Sequence, residues 1–520
     1  MKTNNIFKVI TKSSLILLLI ASLSCNDDLT ERNLQYPQLN PTNPDANAGT
    51  WTPLLLTAPD EFPLDAPLAT TTSAYKAEIN EIKSYQANIT DDQKKIIDYW
   101  SAGGVLRWNE IMQTLVARHN RPPYQNEDGT YPAPSAANPF ANPQFPFSNP
   151  PFAARAYAYV SAAQYDAMVA TWHYKTLYNR AAPFIVDPSI NVMVPKSPLP
   201  SYPSEDGVLA GVTVEILKLL FPTEIAFIQQ KADEQKLYRI IAGANVRSDI
   251  DAGVILGRKI AAKFITKAST DGAGAAIGNQ ALWTQLENNA IAAGETPWRS
   301  LETPARPPML PLFGNVKSFL MTPANVIASR PSAPPSTTSQ QFLNELNEIK
   351  SYSEDNSIEH QQIVGFWADG VGTYTPPGHW NTIADEAFVY QYFSEVRWAR
   401  NLALLNLTMM DAAICCWNTK YFYFTPRPSQ MDVTIKTTTG CPNFPSFVSG
   451  HSTFSGAAAT FLSHVIPSKA AEFNAMANEA SLSRMYGAIH YRSDCEKGLI
   501  LGNTVGNYAV QRALNDGAEN

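Results

Sequence analysis

Residues 151–171 read PFAARAYAYVSAAQYDAMVAT, and this stretch decides the fold class. Alanine dominates it, and the larger apolar residues return at spacings of three and four, the period of a helix and not of a strand. So much apolar surface belongs to a helix buried inside a bundle. Residues 206–220 and 246–267 read the same way, and a second helical block runs from about Gln340 through residues 386–417 to the C-terminus. The expectation is an all-α helical bundle protein. Between the helices lie two loops too long to be simple connectors, Pro122 to Pro150 and Trp298 to Pro335, the latter with eight prolines from Pro304 onward. Such loops are expected to wrap the bundle or shape an entrance. No internal repeat of about 20 to 50 residues is apparent.

Composition narrows the function. The chain has 520 residues, 45% apolar but only 16% charged, with 39 basic against 46 acidic side chains and a net charge of −7. Disorder is excluded over most of it, because the apolar fraction is ample and the net charge small for this length. The Lys and Arg residues are scattered rather than blocked, which disfavours nucleic acid as a partner. Generous aromatics (11%) and 39 prolines fit a loop-rich enzyme or a glycan binder equally well.

At the N-terminus, Lys2, Lys8 and Lys12 precede an apolar run, Leu15 to Ile20, followed by Ala-Ser-Leu-Ser-Cys25. That run is far short of the roughly 20 residues a membrane helix needs, so residues 1–25 read as an export signal. A cysteine closing such a segment resembles the bacterial lipoprotein signal. The resemblance implies a lipid on Cys25 and attachment to the cell envelope, at the periplasmic or surface face of an outer membrane. Ser22 stands where that family prefers Leu. Residues 26–50 read as a polar tether. The four remaining cysteines, Cys415, Cys416, Cys441 and Cys495, are an even number in a disulfide-permissive compartment and allow three pairings; a Cys441–Cys495 bridge would brace the region described next, and vicinal Cys415 and Cys416 could equally supply one partner.

Three clusters near the C-terminus carry chemistry. In the first, Trp417 and Lys420 share one face at the end of a helix that Pro426 must stop, and Arg427, held by Pro428, is extended. Two cations thereby converge from a helix end and a loop. In the second, Phe444-Pro-Ser-Phe-Val-Ser449-Gly450-His451, a hydroxyl and free N–H groups stand at a helix start, where an anion is welcome, with His451 beside it. In the third, Arg484 and His490 are six residues apart, about 120° off a common helical face. A break at Gly487 would bring them together, and Ser493 with Glu496 forms a capping box for a new helix near Asp494. Asp494 either orients His490 or complements the helix dipole.

The order Lys420, six residues, Arg427-Pro; then Ser-Gly-His; then Ser-Arg484, five residues, His490, three residues, Asp494 resembles the superfamily of type 2 phosphatidic acid phosphatases and vanadium-dependent haloperoxidases. Val448 replaces the proline usual before Ser-Gly-His. The resemblance implies two four-helix-bundle-like halves, taken here as residues 51–335 and 336–520. It implies that Lys420, Arg427, Arg484, Ser449 and Gly450 hold the oxygens of a vanadate, a site that phosphate or sulfate could also fill. His490 would bond the central atom and so be the metal ligand, and His451 would be the general acid/base. Trp417 and Phe444 match aromatic positions beside the cofactor in haloperoxidases, and Asp369 in Phe366-Trp-Ala-Asp-Gly is expected to pair with Arg484.

Either peroxide and halide or a phosphomonoester would then be the substrate. The absence of several membrane spans, the length, Trp417 and Phe444 favour the haloperoxidase over the acid phosphatase. A glycan-binding surface lipoprotein is the alternative from another class, but it gives no reason to gather three cations and two histidines. His119, His173, His360 and His464 read as structural or exposed, and His379 in Pro-Pro-Gly-His-Trp is either structural or an entrance residue.

Overall fold

The computed structural model describes residues 36–121, 147, 149–303, 305–355 and 357–518; the export signal, Cys25, residues 26–35 of the tether and most of the loop from Pro122 to Pro150 lie outside them. Among the described residues there is no strand, and fifteen helices of nine or more residues carry the fold. They are α1 (Ser73–Ala87), α2 (Asp91–Trp100), α3 (Gly104–His119), α4 (Pro150–Tyr178), α5 (Glu205–Leu220), α6 (Ile225–Ile241), α7 (Arg247–Ser269), α8 (Gln280–Ala292), α9 (Gln340–Glu354), α10 (Ile358–Phe366), α11 (Thr375–Phe388), α12 (Glu395–Tyr423), α13 (Gly450–Val465), α14 (Ala470–Tyr486) and α15 (Arg492–Ala513).

Two helices of 29 residues, α4 and α12, lie against each other at the centre. The alanines of the 151–171 stretch allow this: Ala153, Ala154, Ala158, Ala162, Ala163 and Ala167 are all fully buried, and helices packed through small residues approach closely. Each central helix carries a tightly packed pair on its outer side, α5 with α7 on α4, and α13 with α15 on α12. Both pairs meet through glycines four apart. A Cβ on Gly257 of α7 would lie 2.3 Å from the Val208 carbonyl of α5, and one on Gly502 of α15 would lie 2.3 Å from the Thr453 carbonyl of α13. The two helix pairs thus repeat one device.

The predicted helices at 206–220 and 246–267 are α5 and α7, shifted by a residue or two. The block at 386–417 is interrupted between Phe388 and Glu395, where Ser394 caps the new helix by accepting the Arg397 N–H at 3.1 Å. The helix then runs past Trp417 to Tyr423 and stops at Phe424, in the left-handed region at φ 53°, two residues ahead of Pro426. The described part of the Trp298–Pro335 loop wraps the C-terminal end of α12. The Trp298 N–H donates to the Phe424 carbonyl (2.8 Å), and the Met309 carbonyl accepts from Trp417 Nε1 (3.1 Å) and the Tyr421 hydroxyl.

No disulfide forms. Cys415, Cys416, Cys441 and Cys495 are all free thiols, three of them buried, so the Cys441–Cys495 brace is not made. Cys416 Sγ instead faces the Val448 carbonyl at 3.8 Å and Cys495 Sγ the Ser481 carbonyl at 3.4 Å. No helix among the described residues is long and apolar enough to cross a membrane.

If the glycine contacts set the helix spacing, Gly502→Ala and Gly257→Ala should each destabilise the protein by about 1–3 kcal/mol, because the new methyl meets backbone rather than a movable side chain. Gly365→Ala, with nothing within 4 Å of its new Cβ, is the control and should leave the thermal midpoint nearly unchanged.

Candidate active site

The three clusters converge at the C-terminal end of α12. Lys420, Arg427, Arg484 and His490 are each at most 2% exposed. Four separate pieces of chain deliver them: the last turn of α12, the extended residue before Pro428 (φ −80°, ψ 155°), the last turn of α14 and the turn before α15.

Arg427 is the hub. Its Nε donates to the Phe444 carbonyl (2.9 Å), and its Nη1 donates to the Ile489 carbonyl (2.8 Å) and to His490 Nε2 (3.0 Å). Its Nη2 is buried without a partner. Because a guanidinium only donates, His490 Nε2 must accept, which puts the ring proton on Nδ1. That nitrogen lies 2.8 Å from Asp494 Oδ2. Burial, then the Arg427 and Lys420 charges, push His490 well below the ordinary histidine range, so the ring is neutral with its Nε2 lone pair facing the cations.

Asp494 does both things the sequence allowed. It accepts from His490, and it also accepts the Tyr491 N–H at 3.2 Å, closing the first turn of α15. Ser446 Oγ donates to the same oxygen. Burial raises the Asp494 carboxyl, and the Ser446 hydrogen bond and the Lys420 and Arg427 charges pull it back. The expected Ser493–Glu496 box is not the cap: α15 begins earlier, at Arg492, and Ser493 donates through N–H and hydroxyl to Glu345 of α9 at 3.1 and 2.7 Å. The break before His490 is also displaced by one residue. Gly487 has an ordinary right-handed backbone, and Ala488 takes the left-handed conformation at φ 56°.

Lys420 Nζ donates to the Pro445 and Ser446 carbonyls at 2.8 and 2.9 Å, leaving its third N–H. Burial lowers its proton affinity. Phe444 lies between the two cations, its ring centroid 5.0 Å from Lys420 Nζ and 4.9 Å from the Arg427 guanidinium carbon, and its ring is 5.1 Å from that of Trp417. Ser449 caps α13, accepting the Ser452 N–H at 3.3 Å. Gly450 follows at the first helical position. A Cβ there would meet only the Trp417 ring, at 4.0 Å, so the N-terminus of α13 stays open on that side.

Arg484 donates through Nε to Ser483 Oγ (2.8 Å), and its Nη1 lies 3.5 Å from His451 Nε2. Burial lowers it to about 10, so it stays charged at neutral pH. His451 is pushed well below the ordinary range by burial first, then by Arg484 and His379. None of the three cations makes an ion pair with a carboxylate within 4 Å among the described residues. The predicted Asp369–Arg484 pair is therefore not formed: Asp369 is 3.0 and 3.2 Å from His379 Nδ1 instead. His379 is buried, not an open wall of an entrance.

Sequence reasoning missed Ser446, the Val364 carbonyl that faces Arg484 Nη2 at 3.4 Å, and the His379–Asp369 pair. Ser446 stands three before Ser449, a spacing that carries no signal by itself. No cluster of His, Cys, Asp and Glu suited to a metal ion occurs among the described residues.

Fold and site together define an all-helical protein in which three buried cations and a buried histidine are gathered at one end of α12. Residues 401–516 match the model of the PAP2 superfamily. A solved structure described as the first bacterial vanadium-dependent iodoperoxidase is similar over 70% of this chain and 91% of its own, with 23% identity and a TM-score of 0.54, and shares the fold. Holo-type and apo-type structures of a bacterial vanadium-dependent chloroperoxidase are 11% identical, with a TM-score of 0.48 each, over 70% and 69% of this chain and 91% and 94% of theirs. No curated protein matches the chain in sequence.

In the ligand-free protein, His490 should stay neutral with the proton on Nδ1 at pH values below 6.5, where an unperturbed histidine is mostly protonated. Nitrogen NMR of histidine-labelled protein reads this tautomer directly. Because the unfolded chain binds that proton and the folded one does not, His490 and His451 should each make the protein less stable as pH falls below about 6.5.

Proposed function

We propose that the chain is a vanadate-dependent haloperoxidase, using peroxide to oxidise a halide. The observation that carries the oxyanion site is the Arg427 hub: a buried, unpartnered guanidinium nitrogen on the same side chain that aligns the His490 lone pair. The residues fit a vanadate. Arg427 Nη2, the third N–H of Lys420 and the Arg484 guanidinium would take its oxygens, with the Gly450 N–H and Ser449 at the positive end of α13. His490 Nε2, neutral and unprotonated, would bond the central atom on giving up the hydrogen bond it accepts from Arg427 Nη1.

Vanadate, when bound, supplies a Lewis-acidic centre that activates peroxide toward two-electron oxidation of the halide. The chain's own part is binding, orientation and proton handling. Asp494 fixes the His490 tautomer, as a carboxylate behind a ligating imidazole does generally. His451, kept neutral by burial and Arg484, is suited to take a proton from an incoming substrate and return it. Trp417 and Phe444 exclude water from the cation side and raise the strength of each charge–charge contact there. The aromatic wall supports the haloperoxidase reading over the phosphatase one, because it covers the anion-holding cations with apolar surface rather than opening them to a bulky phosphomonoester. Export and lipid attachment through Cys25 belong to the same proposal.

The deciding experiment is a paired assay on purified protein. With orthovanadate and peroxide the protein should oxidise iodide or bromide. His490→Ala should lose vanadate binding, and His451→Ala should bind vanadate but lose turnover by about 10²–10⁴-fold, the range for a general acid/base. Steady phosphomonoester hydrolysis with no halide oxidation would replace this reading with an acid phosphatase.

A further inference from the structure

Four helices of the first half return in the second at a constant step along the chain. α4 starts at Pro150 and α12 at Glu395, 245 residues on. The same step carries α5 onto α13, α6 onto α14 and α7 onto α15, with only the last differing, by one residue at its end. Side chains follow it as well: Arg247-Ser-Asp249 returns as Arg492-Ser-Asp494, Pro200-Ser201 as Pro445-Ser446, and the packing residue Gly257 as Gly502.

The hydrogen bonds of the cradle are duplicated with the helices. Lys175 Nζ donates to the Pro200 carbonyl as Lys420 Nζ does to that of Pro445. The Ser204 N–H donates to the Asp249 carbonyl at 2.9 Å, the same distance as from the Ser449 N–H to the Asp494 carbonyl. Ser201 Oγ donates to Asp249 at 3.2 Å, as Ser446 donates to Asp494. Arg239 lies 3.3 Å from Asp206, and its counterpart Arg484 lies 3.5 Å from His451. What the first copy lacks is the chemistry: Ala182 stands for Arg427, Asp206 for His451 and Asn245 for His490. The Asn245 amide is fully engaged, accepting from Arg239 Nε at 2.8 Å and donating to the Ser201 carbonyl at 2.9 Å.

One more difference decides what each cradle holds. Glu205, the first residue of α5, stands where Gly450 opens α13. Its carboxylate bridges the two cations of the first half, Oε2 at 2.8 Å from Lys175 Nζ and Oε1 at 3.1 Å from Arg239 Nη2. Burial raises this carboxyl, but the Lys175 and Arg239 charges outweigh it and hold the group at about 2, fully ionised. Beside it lies a cavity of about 220 Å³, walled also by Lys196, Tyr238 and Glu395. Burial, then the Asp206 charge, raises the Glu395 carboxyl to about 8, so that wall is largely uncharged at neutral pH. The counterpart pair, Lys420 and Arg484, has no such carboxylate, because glycine supplies none.

We propose that the first half holds a second oxyanion cradle of the same plan, filled by the Glu205 carboxylate, and that the first residue of the capped helix, Glu205 or Gly450, decides whether a half keeps its own anion or takes one from solution. The ligand of the emptied first cradle is a small tetrahedral oxyanion, held by the Lys–Arg pair and the helix N-terminus. For the second half the inference rests on the oxyanion reading above; for the first half it stands apart from it.

The test exchanges the two residues and counts bound inorganic phosphate by equilibrium dialysis. Glu205→Gly should melt below wild type in chloride buffer, since two largely buried cations lose their counter-charge, and phosphate should restore it. It should bind one phosphate per chain more than wild type, and adding Lys175→Gln should abolish the extra one. Equal counts in Glu205→Gly and wild type, or an extra phosphate that survives Lys175→Gln, would overturn the proposal. Gly450→Glu does not depend on the tolerance of position 205, and its new Cβ meets only the Trp417 ring at 4.0 Å. Its crystal structure should show the carboxylate within 4 Å of both Lys420 Nζ and the Arg484 guanidinium; a carboxylate turned away from either cation overturns the proposal. If wild type takes up neither orthovanadate nor phosphate, the proposed function fails, while the extra phosphate of Glu205→Gly and the carboxylate position in Gly450→Glu still decide this inference.

Discussion

Three cations, Lys420, Arg427 and Arg484, are buried with no carboxylate within 4 Å among the described residues, and the rest of the site follows from that constraint. Removing a charge from water costs several kcal/mol unless it is compensated. Here the compensation from the protein is partial. Lys420 and Arg427 rest on four backbone carbonyls between them, and Arg427 keeps one nitrogen with no partner at all. The one buried carboxylate in the cradle, Asp494, is taken up by His490, Ser446 and the first turn of α15. Such a site is electrostatically incomplete, and under the proposed function a multiply charged oxyanion would complete it.

The architecture serves that cradle. The long α12 delivers Lys420 at its final turn, and the carbonyls that hold Lys420 come from the loop that ends in Ser449. α13 then points its N-terminus at the same place, and its close approach to α15 through Gly502 brings the α13 start beside the residues that precede α15. The Ser449 N–H donates to the Asp494 carbonyl at 2.9 Å, tying the two helix starts together. One contact between helices therefore sets the spacing between the anion-binding N-terminus and the imidazole beside it. Glycine at these positions is a requirement of distance, not of backbone freedom.

Much of this was legible in the sequence, and the misses share a cause. Helical period and alanine content predict α5 and α7 almost to their ends and α4 up to Thr171, seven residues short of its end at Tyr178, because those signals are local. The convergence of Lys420, Arg427, Ser449, Arg484 and His490 was legible from motif order and resemblance, and the geometry brings them together. What failed depended on which of two nearby partners wins. Asp369 was expected on Arg484 and lies on His379, since the competing ring sits ten residues later in a motif that names no partner. The cap of α15 was expected at Ser493 and falls at Tyr491, since Asp494 can close the turn and orient His490 at once. The break was expected at Gly487, and the residue that takes the left-handed backbone is Ala488. A thiol pair near the site was read as a bridge, and the thiols are free.

The central claim is that the cradle is finished by an oxyanion, and stability reads it without any assumption about the reaction. A ligand that binds only the folded state raises the unfolding midpoint in proportion to the logarithm of its concentration. The account predicts that the midpoint rises steadily with orthovanadate, and with phosphate in competition with it, while sodium chloride at the same ionic strength has no such effect and His490→Ala loses the orthovanadate response. A midpoint that does not move with orthovanadate or with phosphate would contradict it.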